Sequence, residues 1–297
     1  MSSFERRREK FWKSVFADPI FDLDKEVDHV LRARPDGPLL FPFSWDEIPA
    51  GTELWRAREM DADAINAGIT EGDLWEPPAA VATAGRFNEA NEPLLYTCIG
   101  LPIQTLTEAR VLNPNASFIL IGYELVESLN AKRVGVTQDT TLTARQQKIE
   151  HKISEFLAQV VSIPAESMGS TTYEHTQRLL RDFYRLEEGW ESGWIYWSTL
   201  ADPDAEDLNL EPLNLAIEPT DAHSKLTVRY VLAGTQQEYK DGQHHIALHA
   251  YASGQCDGDG RLSFKSFPHE QLSSLQDYFD HLDAEFEDSP IGAQAIV

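Results

Sequence analysis

Residues Ser117 to Leu125 read SFILIGYEL, a run in which positions of both parities are apolar. A strand that is hydrophobic on both sides must be covered on both faces, so this segment predicts a central strand of a sheet. Around it the pattern alternates between strand and helix signals. Thr52–Arg58 (TELWRAR) predicts a strand with Leu54, Arg56 and Arg58 on one side and Trp55 and Ala57 on the other. Leu94–Cys98 (LLYTC), Trp194–Leu200 (WIYWSTL), Lys225–Ala233 and His244–Tyr251 predict further strands. The last two are separated by Lys240-Asp-Gly-Gln243, a hairpin signal. Helical spacing marks Phe4–Ala33, with Phe4, Phe11, Trp12, Val15 and Phe16 and then Phe21, Leu23, Val27, Val30 and Leu31. It also marks a segment from Pro102 through Glu108 to the stop at Asn113-Pro114, then Thr141–Val161 and Thr172–Leu186. The sum is an α+β chain: a mixed β-sheet core with inserted helices.

A chain of 297 residues suits one catalytic domain with extensions. The expected division is a helical extension at 1–45, a catalytic domain at 46–235 and a C-terminal strand and acidic helix at 236–297, packed on that domain. The acidic helix is read from Glu270–Asp288, which holds seven acidic residues and no Lys or Arg, with Leu272, Leu275, Tyr278, Phe279, Leu282 and Phe286 in helical rhythm.

Charge excludes some partners. The chain has 49 acidic and 25 basic residues and a net charge of −24 at pH 7. Nucleic acid and anionic lipid bind to clustered Lys and Arg that displace counterions, so neither is an expected partner. An anionic substrate would need a few arginines focused in one cleft. The N-terminus has basic residues with no apolar run behind them, and no stretch approaches the roughly 20 apolar residues of a membrane span. Cys98 and Cys256 are the only cysteines and form no CxxC pair, which fits a reducing compartment, and cytoplasm is the expected location.

His244, His245 and His249 cluster, but a metal site wants a third ligand and carboxylates behind it, and the plainer reading is a surface strand. Cys256-Asp-Gly-Asp-Gly260 carries two of the acidic positions of a calcium loop and lacks the closing Glu, so it reads as a turn. No metal is expected. G-x-S-x-G, P-loop and GxGxxG motifs are absent. What remains is a set in the middle of the chain: Arg56 and Arg58 on one strand, Arg86 and Asn88 in a polar loop, Tyr96 on the next strand, Glu108 on a helix and Ser198 on a later strand. Taken singly, each has a structural reading: a solvated strand face for Arg56 and Arg58, a loop-closing hydrogen bond for Arg86, a solvated helix face for Glu108, a small residue on a crowded strand for Ser198.

In order, LWRAR, GRFN, LLYTC, TEAR and IYWS resemble the RES family, named for its Arg, Glu and Ser. The matching positions are Arg56, Gly85-Arg86-Phe87-Asn88, Leu95-Tyr96, Glu108 and Tyr196-Trp197-Ser198, followed by Asn209-Leu210 or Asn214-Leu215, over roughly residues 50 to 220. The resemblance implies a fold similar to ADP-ribosyltransferase toxins and a chain that consumes NAD+. It further implies cleavage of the nicotinamide–ribose bond by glycohydrolase or phosphorylase chemistry, or transfer of ADP-ribose to a protein. Many relatives are toxins neutralised by an antitoxin, so an antitoxin or immunity protein is an expected partner, and a homodimer is compatible. A non-catalytic NAD+- or protein-binding module of the same fold is the alternative.

The residue types suit that chemistry. Arginine grips phosphate with a planar fork, which assigns Arg56 and Arg86, with Arg58 in reserve, to the pyrophosphate. Loss of nicotinamide leaves an oxocarbenium-like sugar, and a carboxylate such as Glu108 stabilises it and holds a ribose hydroxyl. Tyr96 can stack on the nicotinamide or the ribose. Ser198 can hydrogen-bond ribose or phosphate without acting as nucleophile, since no base is visible beside it. NAD+ is the substrate, and no cofactor is required.

Overall fold

The computed structural model describes residues 3–14, 23–31, 45–100, 102–134, 144–161, 163, 177, 184–198, 213–240, 243–253, 256–268, 278, 280–282 and 284. These residues form a mixed α+β structure, as the patterning predicts. The chain divides into two compact units, each assembled from separated stretches: 1–46, 78–93 and 130–199, and 47–77, 94–129 and 200–297. Strand β1 (Trp45–Ile48) spans the first division point. The other boundary expected from sequence, at 235/236, falls inside a long strand. No helix among the described residues is long and apolar enough to cross a membrane.

In the first unit, helix α1 (Ser3–Ser14) lays Phe4 and Phe11 edge-on against Phe156, at ring distances of 6.3 Å and 5.1 Å. Phe156 belongs to α6 (Ala144–Val161). Arg8–Glu155 at 3.2 Å and Lys152–Glu5 tie the same two helices at their solvated edges. Arg7 donates to the His29 carbonyl at 2.7 Å, linking α1 to α2 (Leu23–Leu31). Val15, Phe16 and Phe21 of the expected helical stripe lie outside the described residues, as do most of the expected helix at 172–186 and of the acidic helix. Within the first of these two, Gln177 is helical and Tyr184–Leu186 are not. Within the second, Tyr278 is helical, as are residues 280–282 and 284.

Strands β5 (Leu129–Val134) and β6 (Gly193–Trp197) pair in parallel, Lys132 facing Trp194 and Val134 facing Tyr196. The sequence of β5, LNAKRV, hides the strand because Lys132 breaks the apolar pattern. Lys132 is nonetheless buried, its side chain 6% exposed and 2.9 Å from the 4% exposed Glu191 carboxylate. Lys132 also donates to the Arg185 carbonyl, and Glu191 accepts from the Glu187 amide at 2.7 Å. These added hydrogen bonds are what an ion pair removed from water requires.

The second unit is built on seven antiparallel strands in the order β7-β3-β2-β4-β8-β9-β10. They are β2 (Glu53–Glu59), β3 (Leu95–Ile99), β4 (Ser117–Leu125), β7 (Leu213–Ile217), β8 (Leu226–Lys240), β9 (Gln243–Ser253) and β10 (Lys265–Ser266). Strand β4 matches the apolar run residue for residue and is central: β2 flanks one side over seven residue pairs and β8 the other. The β8–β9 hairpin closes at Lys240–Gln243, and its first strand is longer than the apolar segment because main-chain pairing continues past Ala233. Short helices decorate this sheet: α3 (Ala62–Ala67), α4 (Glu71–Leu74), α5 (Gln104–Glu108) and α7 (Pro219–Lys225).

Alternation divides β2 as expected. Trp55 and Ala57 join Leu106 of α5 with Phe118, Leu120, Tyr230, Leu232 and Leu248 in one hydrophobic cluster, on what we call face A. Leu54, Arg56 and Arg58 point to the opposite side, face B, opposite Tyr123, Ile121 and Ile119 of β4. Glycine is required where layers approach: a Cβ on Gly234 would lie 2.6 Å from Phe118 Cζ and 2.7 Å from the Ala247 carbonyl oxygen.

Two stability outcomes follow from these packings. Gly234→Ala lowers unfolding free energy by about 1–3 kcal/mol, read from the urea midpoint, because a main-chain oxygen has to give way. Lys132→Met costs about 3–5 kcal/mol by leaving Glu191 buried and unpaired, and adding Glu191→Leu recovers most of the loss.

Candidate functional site

The expected site residues fall into three groups. Tyr96 and Glu108 belong together on face A of the second unit. Strand β3 pairs with β2 through Leu54–Ile99 and Trp55–Cys98, so Cys98 and, two residues earlier, Tyr96 share the side of Trp55 and Ala57. Helix α5 sits on that side through Leu106 and ends at Glu108. It is shorter than the expected run to Asn113, because Arg110 turns left-handed (φ 57°) and Val111 donates back to Leu106 O at 2.9 Å.

Strand β7 adds a third polar group to this face. Tyr96 pairs with Ala216 and Cys98 with Asn214. Cys98 Sγ donates to Asn214 Oδ1 at 3.0 Å. Burial first, and then the neighbouring Glu108 carboxylate, push the Cys98 thiol well above its ordinary value, which keeps it a donor. Asn214 is only 3% exposed. With Oδ1 accepting from the thiol, its Nδ2 is oriented as the donor end of the carboxamide. Of the two Asn-Leu steps in the sequence, Asn214-Leu215 therefore lies on the face of Tyr96 and Glu108, whereas Asn209-Leu210 lies outside the described residues.

Arg56 and Arg58 stand together on face B, across the sheet from Glu108. There they hold the end of α4. Three successive carbonyls accept from the sheet: Asp73 O from Arg58 Nη1 at 2.7 Å, Leu74 O from the Tyr123 hydroxyl, and Trp75 O from Arg56 Nη1. Carbonyls at a helix end lack partners within the helix, and cationic donors suit them. Burial, eased by Arg56, pushes the Tyr123 phenol up to about 12. Burial and then the Arg56 charge lower Arg58. Glu76 follows on the same turn, 12% exposed, with Oε1 3.0 Å from His223 Nε2, and the His223 ring lies 4.3 Å from that of Trp75. The two arginines therefore do not share one pocket with Glu108, because alternation along β2 sends them to the other face.

Arg86, Asn88 and Ser198 belong to the first unit. Arg86 donates to the carbonyls of Val161 and Ile163, the latter at 3.1 Å, at the end of α6. Asn88 is a loop organiser: its Nδ2 donates to Thr83 O, Glu89 O and Glu92 O at 2.8–3.0 Å. Gln177 Nε2 bonds Gly85 O at 2.8 Å and Asn88 O. Phe87 stacks on Tyr196 of β6 at 4.6 Å, and Ser198 follows that strand. The Gly-Arg-Phe-Asn motif thus builds its own loop in this unit.

The histidine cluster is dispersed into separate contacts. His244 Nε2 meets Thr107 Oγ1 at 2.8 Å and its Nδ1 meets Gln236 Oε1 at 2.9 Å, while His249 meets Thr235 Oγ1 at 2.9 Å. Among the described residues no group of three or more His, Cys, Asp or Glu side chains is placed to hold a metal. Asp257 Oδ1 accepts from the amides of Asp259 and Arg261 at 2.9 Å and 3.0 Å, closing the Cys256–Gly260 turn.

No protein-family model, no curated protein and no solved structure matches the chain.

Burial lowers the His244 imidazole below its ordinary value. Its folded form therefore stays neutral where the unfolded chain takes up a proton, so the stability it contributes is present above about pH 6.5 and is lost as pH falls through the folded value. Urea unfolding between about pH 7 and pH 5 should show a shallower acid loss in His244→Gln than in the wild type.

Proposed function

We propose that this chain is an NAD+-consuming enzyme that cleaves the nicotinamide–ribose bond on an ADP-ribosyltransferase-like core, in the manner of a toxin of the RES type. The motif order supports the reading, and the observation that carries it is the common face of Tyr96, Glu108 and Asn214. A carboxylate, an aromatic hydroxyl and an oriented carboxamide on one side of a sheet suit a sugar whose charge develops at the anomeric carbon. Nicotinamide leaves with the electron pair of the C–N bond. Glu108 stabilises the resulting oxocarbenium-like ribosyl and holds a ribose hydroxyl. Tyr96 stacks on the departing ring or the ribose, and Asn214 Nδ2 donates to an oxygen of the bound ligand. Water then gives ADP-ribose and a proton, phosphate gives the phosphorylated product, and a protein side chain gives an ADP-ribosylated protein.

The phosphate and ribose contacts that the motif order gives to Arg86, Asn88 and Ser198 fall on residues of the first unit, so the reading proposed here rests on Tyr96, Glu108 and Asn214 of the second unit. Arg56 and Arg58 act at a distance on this reading, by fixing the Asp73–Trp75 turn. The alternative, a binding module without turnover, is favoured by one observation: the net charge of −24, which suits a basic partner. Calorimetry that finds NAD+ binding with no nicotinamide release selects it.

The purified chain should release nicotinamide from NAD+ in buffer with or without phosphate. Glu108→Gln should lower kcat by about 10²–10³-fold, the scale of a lost transition-state electrostatic contact. Asn214→Ala should cost about tenfold, the scale of one hydrogen bond. A wild-type chain that leaves NAD+ intact under both conditions, and labels no protein with ADP-ribose, ends the enzymatic reading.

A further inference from the structure

Helix α5 carries Glu108 but has little of its own to hold it. Five residues are too few for an isolated helix, and the N-cap residue Ile103 makes no side-chain cap. Leu106, fully buried in the face A cluster, fixes the depth of the helix. Thr105 is buried beside it, its hydroxyl donating to Pro102 O at 2.6 Å within the helix's own first turn, so these two side chains seat the start and middle of the helix. Thr107 holds the last turn, the one that ends in Glu108: its hydroxyl meets His244 Nε2 at 2.8 Å.

The imidazole is itself held. Gln236, wholly buried, accepts from His244 Nδ1 at 2.9 Å and donates Nε2 to the Glu238 carbonyl. Its main chain is locked as well, N to Ala116 O at 2.9 Å and O to Asn115 N at 2.7 Å. Because the Gln236 amide nitrogen is engaged with Glu238, its oxygen faces the ring, so Nδ1 carries the proton and Nε2 presents a lone pair to the Thr107 hydroxyl. The neutral ring fits its burial.

We propose that His244, braced by Gln236 on the β8–β9 hairpin, is a positioning residue that holds the last turn of α5 through Thr107 and so aims the Glu108 carboxylate. The inference rests on the reading of Glu108 as the carboxylate that acts on NAD+. It gives the C-terminal hairpin a role in the chemistry beyond closing the sheet.

The test uses the full chain labelled with carboxyl-¹³C glutamate, with the Glu108 resonance assigned by Glu108→Gln. Three variants are compared: His244→Ala, the near-isosteric Thr107→Val, which keeps the fold if His244→Ala does not, and Thr107→Ser, which restores the hydroxyl. Thr107→Val should move the Glu108 resonance, lower kcat for nicotinamide release about tenfold and leave KM within about twofold. Thr107→Ser should return both readouts to wild-type values. A Glu108 resonance unchanged in Thr107→Val overturns the proposal, and so does full kcat in Thr107→Val of an active wild type. A wild type that releases no nicotinamide instead defeats the functional reading, and the resonance then decides the positioning by itself.

Discussion

Strand β4 buries side chains on both of its faces, and the second unit is arranged to satisfy that demand. Phe118 and Leu120 enter the face A cluster, while Ile119, Ile121 and Tyr123 are buried on face B. Neither set can be left to water, at roughly 25 cal/mol for each Å² of apolar surface. Face A is therefore covered by α5 and face B by the turn that ends α4. Each cover then acquires polar fasteners, because its own main chain leaves groups without helical partners. On face B the fasteners are Arg56, Arg58 and Tyr123. On face A they are Thr107 and His244. The residues richest in chemistry are thus also those that secure the two covers.

This arrangement explains why guanidinium groups and carboxylate separate. In a strand, neighbours alternate sides, and β2 has partners along both edges, so a side chain on one face does not pass to the other. Among the described residues β2 and β3 pair only at Leu54–Ile99 and Trp55–Cys98, after which the ladder between them stops. Tyr96 lies beyond that point on face A, with its main chain committed to Ala216 of β7. The group that remains coherent is Tyr96, Glu108 and Asn214, with Cys98 orienting the asparagine. The arginines contribute through the geometry of turns and helix ends.

Much of the sheet is legible in the amino-acid order. Strands with strong apolar content, β3, β4 and the start of β8, are readable because hydrophobic pattern and structure report the same burial. Alternation in TELWRAR alone puts Arg56 and Arg58 on one face. Strand β5 is not legible, since Lys132 looks exposed until Glu191, 59 positions later, supplies its partner. The end of α5 escapes the pattern because a left-handed Arg110 is no ordinary stop signal. Of the candidate site, Tyr96 and Glu108 are singled out in the sequence by motif order. Asn214 is one of two choices in the sequence; its pairing with Cys98 places it on the face of Tyr96, while Asn209 lies outside the described residues. His244 reads only as a member of a histidine cluster, because nothing local links it to Thr107.

The amino-acid sequence by itself determined the mixed α+β class, the central strand and the sidedness of β2, because periodicity is a local property and burial follows it. Tertiary structure decided which faces meet. Whether an arginine grips a ligand or a helix-end carbonyl, and whether a histidine braces a helix, depends on pairings between residues far apart in the chain. Those pairings are set by sheet register and by the need to satisfy each buried polar group, and no short stretch of sequence encodes them.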